Sequence, residues 1–167
     1  EGGLTLHKSR SNNNYGWVVY DTENGAGANA LRLDGTGATN NGAVAPYANV
    51  DQFASNGYRL NTSSGSPNVL NDNGLATASW TFLEEGGFFD IVQFTETSGD
   101  LAVPHQLGCV PGMIVMKRTD GTSNWIVYHR ALPGGSLKLN SAVKEEDLGT
   151  DWCPVSDSTF TFKHGDI

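Results

Sequence analysis

Short apolar segments recur along the chain, and most are bounded by turn-forming residues. In Leu31-Arg32-Leu33 the apolar residues share one side of a strand, whereas in Trp17-Val18-Val19-Tyr20 large residues fall on both sides. No segment shows a sustained spacing of three and four between apolar residues, and only residues 142–148 favour a helix. The pattern predicts strands at 4–8, 16–21, 30–34, 57–61, 76–83, 88–95, 101–103, 113–118, 124–129, 136–140 and 159–163.

One strand-and-turn pattern occurs twice. The segment GWVVYD at 16–21 returns as NWIVYH at 124–129, so that Trp17 and Trp125 are 108 residues apart. Each copy is preceded by an apolar strand closed by a lysine and followed by a Leu-x-Leu pair; these lie at 4–8 and 113–117, and at 31–33 and 137–139. Because both order and spacing persist, the sequence predicts an internal repeat of about 108 residues.

The repeat predicts two units, residues 1–86 and 87–167. The first unit lacks opening strands equivalent to 88–94, and the second lacks a closing strand equivalent to 76–82, so we expect the sequence to be cut from a longer array. The fold class predicted is all-β, an antiparallel β-sandwich of jelly-roll-like kind. A β-solenoid is disfavoured because its coils are much shorter than this period. Two incomplete domains and one intertwined sandwich both remain open.

Composition agrees with short strands joined by turns. The chain has 21 glycines and 16 aromatic residues among 167, and Asn-Gly and Asp-Gly dipeptides mark turns. The net charge of −8 argues against nucleic acid as a partner, since phosphate binding needs clustered lysine and arginine. No apolar run approaches 18 residues, so no membrane insertion is expected. The opening Glu-Gly-Gly does not look like a signal peptide and is typical of an interior cut.

A longer motif string points to a family. Residues 88–92 (FFDIV), 103–108 (VPHQLG), 110–117 (VPGMIVMK) and 124–130 (NWIVYHR) occur in that order. This string resembles an uncharacterised tandem repeat domain of fibre-like structural proteins from phages of marine bacteria and cyanobacteria. The first copy departs from the pattern, with Asp21 in place of the histidine. The resemblance implies a location on a virion or an extracellular surface, and it implies no reaction.

Residues for catalysis are not arranged in a known constellation. None of the histidines at 7, 105, 129 and 164 accompanies a nucleophile turn, and we expect His105 to bond the backbone at the turn that follows. The carboxylate pairs Glu84-Glu85 and Glu145-Glu146 could serve a glycosidase, but neighbours on a strand face opposite ways. The chain is therefore predicted not to be an enzyme. A polysaccharide-degrading enzyme is the third hypothesis.

No cofactor is predicted, although two loops offer oxygen ligands for calcium. These loops are 21–24 (DTEN) and 71–74 (NDNG), and ordinary turn chemistry explains them equally well. Cys109 and Cys153 match no zinc spacing. They are interpreted as small buried residues, with a bridge between them left open.

Carbohydrate is the ligand class that the loop aromatics favour. Tyr15, Tyr47 and Trp152 could present ring faces to a sugar, and Asn13 with its neighbours Asn12 and Asn14 could supply hydrogen bonds. The tryptophans on predicted strands, at 17, 80 and 125, are assigned to the core.

The combined prediction is a non-catalytic structural and adhesive module of a phage fibre or extracellular appendage that contacts host-surface glycans. The alternative is a capsid-decorating or filament-forming protein that binds only other copies of itself or other virion proteins. Under either hypothesis we expect a homo-oligomer, since a sheet with a missing strand leaves an edge that a neighbour can complete.

Overall fold

The computed structural model of the protein describes residues 2–11, 16–27, 29–38, 50–61, 70–71, 73–132, 134–143 and 146–163. Regular structure in these ranges consists of β-strands that pair antiparallel, with no helix, so the all-β expectation is confirmed. The strands are β1 (Gly3–Ser9), β2 (Val18–Asp21), β3 (Leu31–Arg32), β4 (Val50–Ala54), β5 (Gly57–Leu60), β6 (Thr77–Leu83), β7 (Leu101–Pro104), β8 (Met113–Met116), β9 (Ile126–His129), β10 (Gly135–Lys138), β11 (Glu146–Asp147) and β12 (Thr159–Phe162).

The chain forms two compact units. The first contains Glu1–Leu83 with Thr119–Thr122, and the second contains Glu84–Arg118 with Ser123–Ile167. Each unit has a four-stranded sheet and a two-stranded sheet.

In the first unit the four-stranded sheet has the order β3-β2-β1-β6, and β4 pairs with β5 as a separate hairpin. Alternation along β2 directs Val18 and Tyr20 to one side, where they join Val50 and Leu70 in a buried cluster. Gly3 allows β6 to approach closely, because a Cβ there would lie 2.6 Å from the carbonyl oxygen of Phe82.

In the second unit the four-stranded sheet has the order β11-β10-β9-β8, and β7 pairs with β12. Ile126 and Tyr128 of β9 lie in a buried cluster with Val103 of β7 and with Phe160 and Phe162 of β12. The same alternation that places these side chains inside places Val127 on the opposite side of the sheet.

The predicted strand at 88–95 is not formed. The backbone N–H groups of Phe88 and Phe89 both donate to the Glu85 carbonyl oxygen at 3.0 Å, which makes a turn closed by the bridge from Glu85 to Phe89. Gly87 allows this turn with φ of +78°. The prediction failed because an apolar run alone does not distinguish a strand from a tight turn with an exposed aromatic ring.

Two tryptophans lie where the sequence did not predict them. Trp152, expected to be exposed in a loop, is only 5% exposed and packs against Tyr128 with ring centroids 5.9 Å apart. Trp80, assigned to the core, is 45% exposed. Trp125 is buried as expected, and Trp17 is half-buried.

A polar cluster lies on the buried side of β1. His7 is buried, and its Nε2 lies 3.2 Å from Thr5 Oγ1, which in turn lies 3.3 Å from Ser79 Oγ. The Tyr58 hydroxyl lies 2.6 Å from the same Ser79 oxygen, and the Tyr58 ring packs edge-on against the imidazole. Burial lowers the pKa of His7 from 6.5 to about 4. The imidazole is therefore neutral in the folded protein at neutral pH.

Acid should destabilise the first unit through His7. Its pKa is lower in the folded state, so the unfolded chain binds the extra proton as the pH falls from about 6.5 to about 4. The associated loss in the free energy of unfolding is at most about 3–4 kcal/mol, at about 1.4 kcal/mol per pH unit. Denaturant titrations across this range measure it, and His7→Gln should flatten the pH dependence. An unchanged slope in His7→Gln would contradict the assignment.

Replacement of Trp152 distinguishes a core residue from a ligand-facing one. Trp152→Ala should lower the free energy of unfolding by about 3–5 kcal/mol, because it removes a large buried side chain and leaves a cavity. Trp80→Ala, at an exposed position, should cost less than about 2 kcal/mol. Thermal and urea unfolding of both variants compare the two sites, and equal losses would show that exposure does not separate them.

Candidate functional site

Most of the residues expected to bind carbohydrate lie outside the described residues. These are Tyr15, Tyr47 and Asn13, together with Asn12 and Asn14. Trp152 is described, and its burial leaves no ring face for a sugar. Its indole Nε1 is buried without a hydrogen-bond partner among the described residues. Among the residues expected to bind carbohydrate, the described one, Trp152, therefore lies in the core and not at a surface.

Two of the described residues considered for catalysis accept hydrogen bonds from the backbone. His105 Nδ1 accepts a hydrogen bond from the Leu107 N–H at 3.3 Å, which confirms the backbone contact expected at this turn. Glu84 Oε1 accepts from the Ile91 N–H at 3.1 Å. No disulfide joins Cys109 and Cys153; Cys153 is buried as expected, whereas Cys109 is exposed, so the expectation of burial was wrong for Cys109. The side chains of Glu145 and Glu146 and the whole of His164 lie outside the described residues.

The loop at 21–24 is stabilised as a turn by its own residues. Asp21 Oδ1 accepts from the Asn24 N–H at 2.7 Å, and Oδ2 accepts from Asn24 Nδ2 at 2.6 Å. Both carboxylate oxygens thus accept from Asn24, three residues further along the chain, and aspartate commonly stabilises turns through such local bonds. In the described part of the chain no group of three or more histidine, cysteine or acidic side chains is placed to hold a metal. In the second loop, at 71–74, Asp72 lies outside the described residues.

The first four-stranded sheet carries apolar side chains on the side opposite the buried cluster, where Val19 and Leu31 are buried and Trp80 is 45% exposed. We call this side the Trp80 face: Leu4, Leu6, Trp17, Val19, Leu31, Trp80 and Phe82. The register places Leu6 between Val19 on β2 and Trp80 on β6, and places Leu4 opposite Phe82. Cross-strand pairs of this kind stabilise a sheet by contact between side chains on one face.

The two tryptophans of the Trp80 face pack together. Their ring centroids are 5.2 Å apart with an interplanar angle of 36°. Trp17 is half-buried, whereas Trp80 keeps nearly half of its surface exposed. An exposed ring held by a second ring is a rigid, flat apolar contact site, suited to a sugar face or to another protein side chain.

The second four-stranded sheet has an apolar surface in the corresponding position. We call it the Met113 face: Met113, Val115, Trp125, Val127, Leu137 and Leu139. Val115 of β8, Val127 of β9 and Leu137 of β10 are register partners across the sheet. Met113 is 60% exposed, Val115 39%, Leu137 37% and Leu139 51%. Four large apolar side chains exposed on one sheet face are unusual for a surface without a partner.

A lysine follows the apolar positions of β8, at the edge of the Met113 face. Lys117 Nζ donates to the Arg118 carbonyl oxygen at 2.8 Å and lies 3.5 Å from Ser123 Oγ. Burial of its stem and the charge of Arg118 lower the pKa of Lys117. The charged group is thus tied to the adjacent loop.

Sequence reasoning missed both faces, although a signal was present. Large residues on both sides of Trp17-Val18-Val19-Tyr20 indicate a strand whose two faces are both apolar. Only one of these faces is needed for the unit's own core. The other face could have been identified as a contact surface on that ground.

In the described ranges no helix is long and apolar enough to cross a lipid bilayer.

The comparisons place the chain in a family of unestablished activity. No curated protein and no solved structure matches the chain. A family model described as "Domain of unknown function (DUF7483)" matches residues 2–166, which include both compact units. The chain therefore belongs to the DUF7483 family.

Proposed function

We propose that the chain is a non-catalytic structural module of a virion fibre or another extracellular surface appendage, and that it acts by assembly through its exposed sheet faces. The module is a β-sandwich built from an internal repeat of about 108 residues. The observation on which the proposal depends is the Met113 face, where four large apolar side chains are exposed on one regular sheet.

Strand register supports the repeat. Leu4 and Leu6 of β1 lie opposite Asp21 and Val19, as Met113 and Val115 of β8 lie opposite His129 and Val127. The equivalent pairs are offset by 108 residues on β2 and β9 and by 109 on β1 and β8. Register is a stricter criterion than sequence similarity, because a slip by one residue exchanges the two faces of a strand.

Hydrogen bonds beyond the strands follow the same correspondence. The Leu33 N–H donates to the Trp17 carbonyl oxygen at 3.3 Å, and the Leu139 N–H donates to the Trp125 carbonyl oxygen at 3.0 Å. The turns that follow β3 and β10 also correspond: the Gly35 N–H donates to the Arg32 carbonyl oxygen, and the Ser141 N–H donates to the Lys138 carbonyl oxygen. The similarity therefore includes the turns as well as the strands.

The buried clusters support the sandwich. In the second unit the cluster joins Met116 and Ile126 of the four-stranded sheet to Val103 and Phe160 of the two-stranded sheet. In the first unit Val18 and Tyr20 are joined to Val50 of the hairpin. Side chains from two sheets that share one core are the basis of a sandwich. The jelly-roll order of strands remains a prediction.

The proposed location and the class of partner are inferred from the sequence. The resemblance of residues 88–130 to phage fibre repeats supports a virion or extracellular location, and the net charge of −8 disfavours nucleic acid as the partner. Homo-oligomers are the simplest assemblies of such modules, because identical copies present identical apolar faces.

A second candidate function is contact with host-surface glycans through Trp80. The exposed indole is held by Trp17 at 5.2 Å on the Trp80 face, whereas its strand neighbours Ser79 and Thr81 lie on the opposite face of the sheet. A ring face held in place by a second ring has the chemistry that stacks on a pyranose ring.

Self-association tests the assembly function. The wild-type chain should show a mass in light scattering that increases with protein concentration above that of the 17.8 kDa monomer. Leu139→Lys should shift the chain toward monomer by at least tenfold in dissociation constant, because it places a charge on the apolar face. Thr150→Lys, an exposed position with the same change in charge, is the control. A wild-type chain that remains monomeric at all concentrations would contradict the assembly function.

Glycan arrays test the second candidate. If Trp80 contacts sugar, Trp80→Ala should weaken binding roughly 30-fold or more, as loss of a central aromatic contact costs about 2 kcal/mol. Thr81→Ala, at the adjacent exposed position, should bind within about threefold of wild type. Arrays without binding to any glycan, for a chain that is folded by circular dichroism, would exclude this function.

A further inference from the structure

We propose that the edge of β8 is a binding site for an added β-strand with the chemistry of β6, contributed by another unit of the same repeat. The inference rests on the proposed function, because the correspondence between the two units identifies the occupant. It goes further by naming the strand edge, the chemistry of the partner and the register.

The two four-stranded sheets differ at one edge. In the first sheet β1 is covered by β6, which pairs with it along its full length from Gly3–Leu83 to Ser9–Thr77. In the second sheet β8 corresponds to β1 and is the last strand among the described residues. An open edge of this kind is a template for strand addition.

The backbone of β8 directs its hydrogen-bonding groups toward this edge at two positions. The Arg130 N–H donates to the Gly112 oxygen, as the Thr22 N–H donates to the Gly3 oxygen in the first unit. Because antiparallel hydrogen bonds alternate along a strand, the groups of Met113 and Val115 then point away from β9. Leu4 and Leu6 have the corresponding orientation, and they lie opposite Phe82 and Trp80 of β6.

The exposure of the β8 side chains indicates which residues an added strand would carry. Leu4 and Leu6 are half-buried beside Phe82 and Trp80, whereas Met113 is 60% exposed and Val115 is 39% exposed. Two aromatic residues spaced two apart on an antiparallel strand would cover these positions. In the predicted register a tryptophan lies opposite Val115 and a phenylalanine lies opposite Met113.

The site has no charge that opposes such a strand. Residues 113–116 of β8 are all apolar, and β6 carries no ionisable residue from Thr77 to Leu83. Main-chain hydrogen bonds would supply affinity, and the aromatic pair would supply register and specificity.

A synthetic peptide with the sequence of residues 75–85 (LATASWTFLEE) tests the proposal on the full chain. Fluorescence anisotropy of the labelled peptide should show saturable binding, and a peptide with serine at the tryptophan and phenylalanine positions should bind at least tenfold more weakly. Hydrogen exchange should slow at least tenfold at the amides of Met113 and Val115. Faster exchange at the amides of Thr77–Leu83, without slower exchange at Met113 and Val115, would instead show that the peptide replaces the chain's own β6 and would overturn the assignment to β8.

Variants of the protein give an independent readout. Val115→Pro removes an outward-directed N–H and should weaken peptide binding at least tenfold, since proline blocks an edge without breaking the β8–β9 ladder. Met113→Lys is the second variant, in case the proline prevents folding. Thr150→Lys, at an exposed position outside the Met113 face, should bind the peptide as wild type does.

The outcomes separate this inference from the assembly function. Peptide binding by a chain that stays monomeric would support the β8 site while contradicting assembly through the Met113 face. Self-association without peptide binding would overturn the β8 site and leave the assembly function in place.

Discussion

Antiparallel pairing of two apolar strands organises each unit, as β1 with β2 and as β8 with β9. In β2 the side chains of Val18 and Tyr20 enter the core while Val19 lies on the other face, and all three are buried. Burial of one face is enough to fix the register of a strand, because a slip by one residue exchanges its two faces. The inner face is buried within the unit. The outer face is covered unevenly, which leaves Trp80 exposed in the first unit and Met113 exposed in the second.

The sequence predicted this organisation where alternation was strong. The strands around Trp17 and Trp125, their partners and the antiparallel class all follow from period-two patterns between turn residues. β4 was missed because Asp51 and Gln52 interrupt its apolar pattern, although the hairpin with β5 pairs Phe53 with Tyr58. The turn at Glu85–Phe89 was read as a strand because hydropathy does not record φ, and Gly87 there has a positive φ.

The candidate site could be predicted only in part. Aromatic side chains were expected at the surface, but the exposure of Trp80 and Trp152 is the reverse of the expected one. Trp80 looked like a core residue because it alternates with Phe82 on a strand, and the sequence does not state that β6 lies at the sheet edge. Trp152 looked like a loop residue because Asp151 and Pro154 surround it, whereas long-range packing against Tyr128 buries it. Burial at these positions depends on strand order, which local pattern does not encode.

Charge repulsion and apolar contact act over different distances, and the association that we propose depends on both. An open strand edge with exposed Met113 and Val115 is a liability for any free protein, because strands of unrelated chains can pair with it. The net charge of −8 produces repulsion between copies that extends over about 8 Å at physiological ionic strength. A partner must therefore gain enough from contact to overcome that repulsion. Strand pairing combined with aromatic cover, as β6 provides for β1, is the contact that we propose to supply this gain.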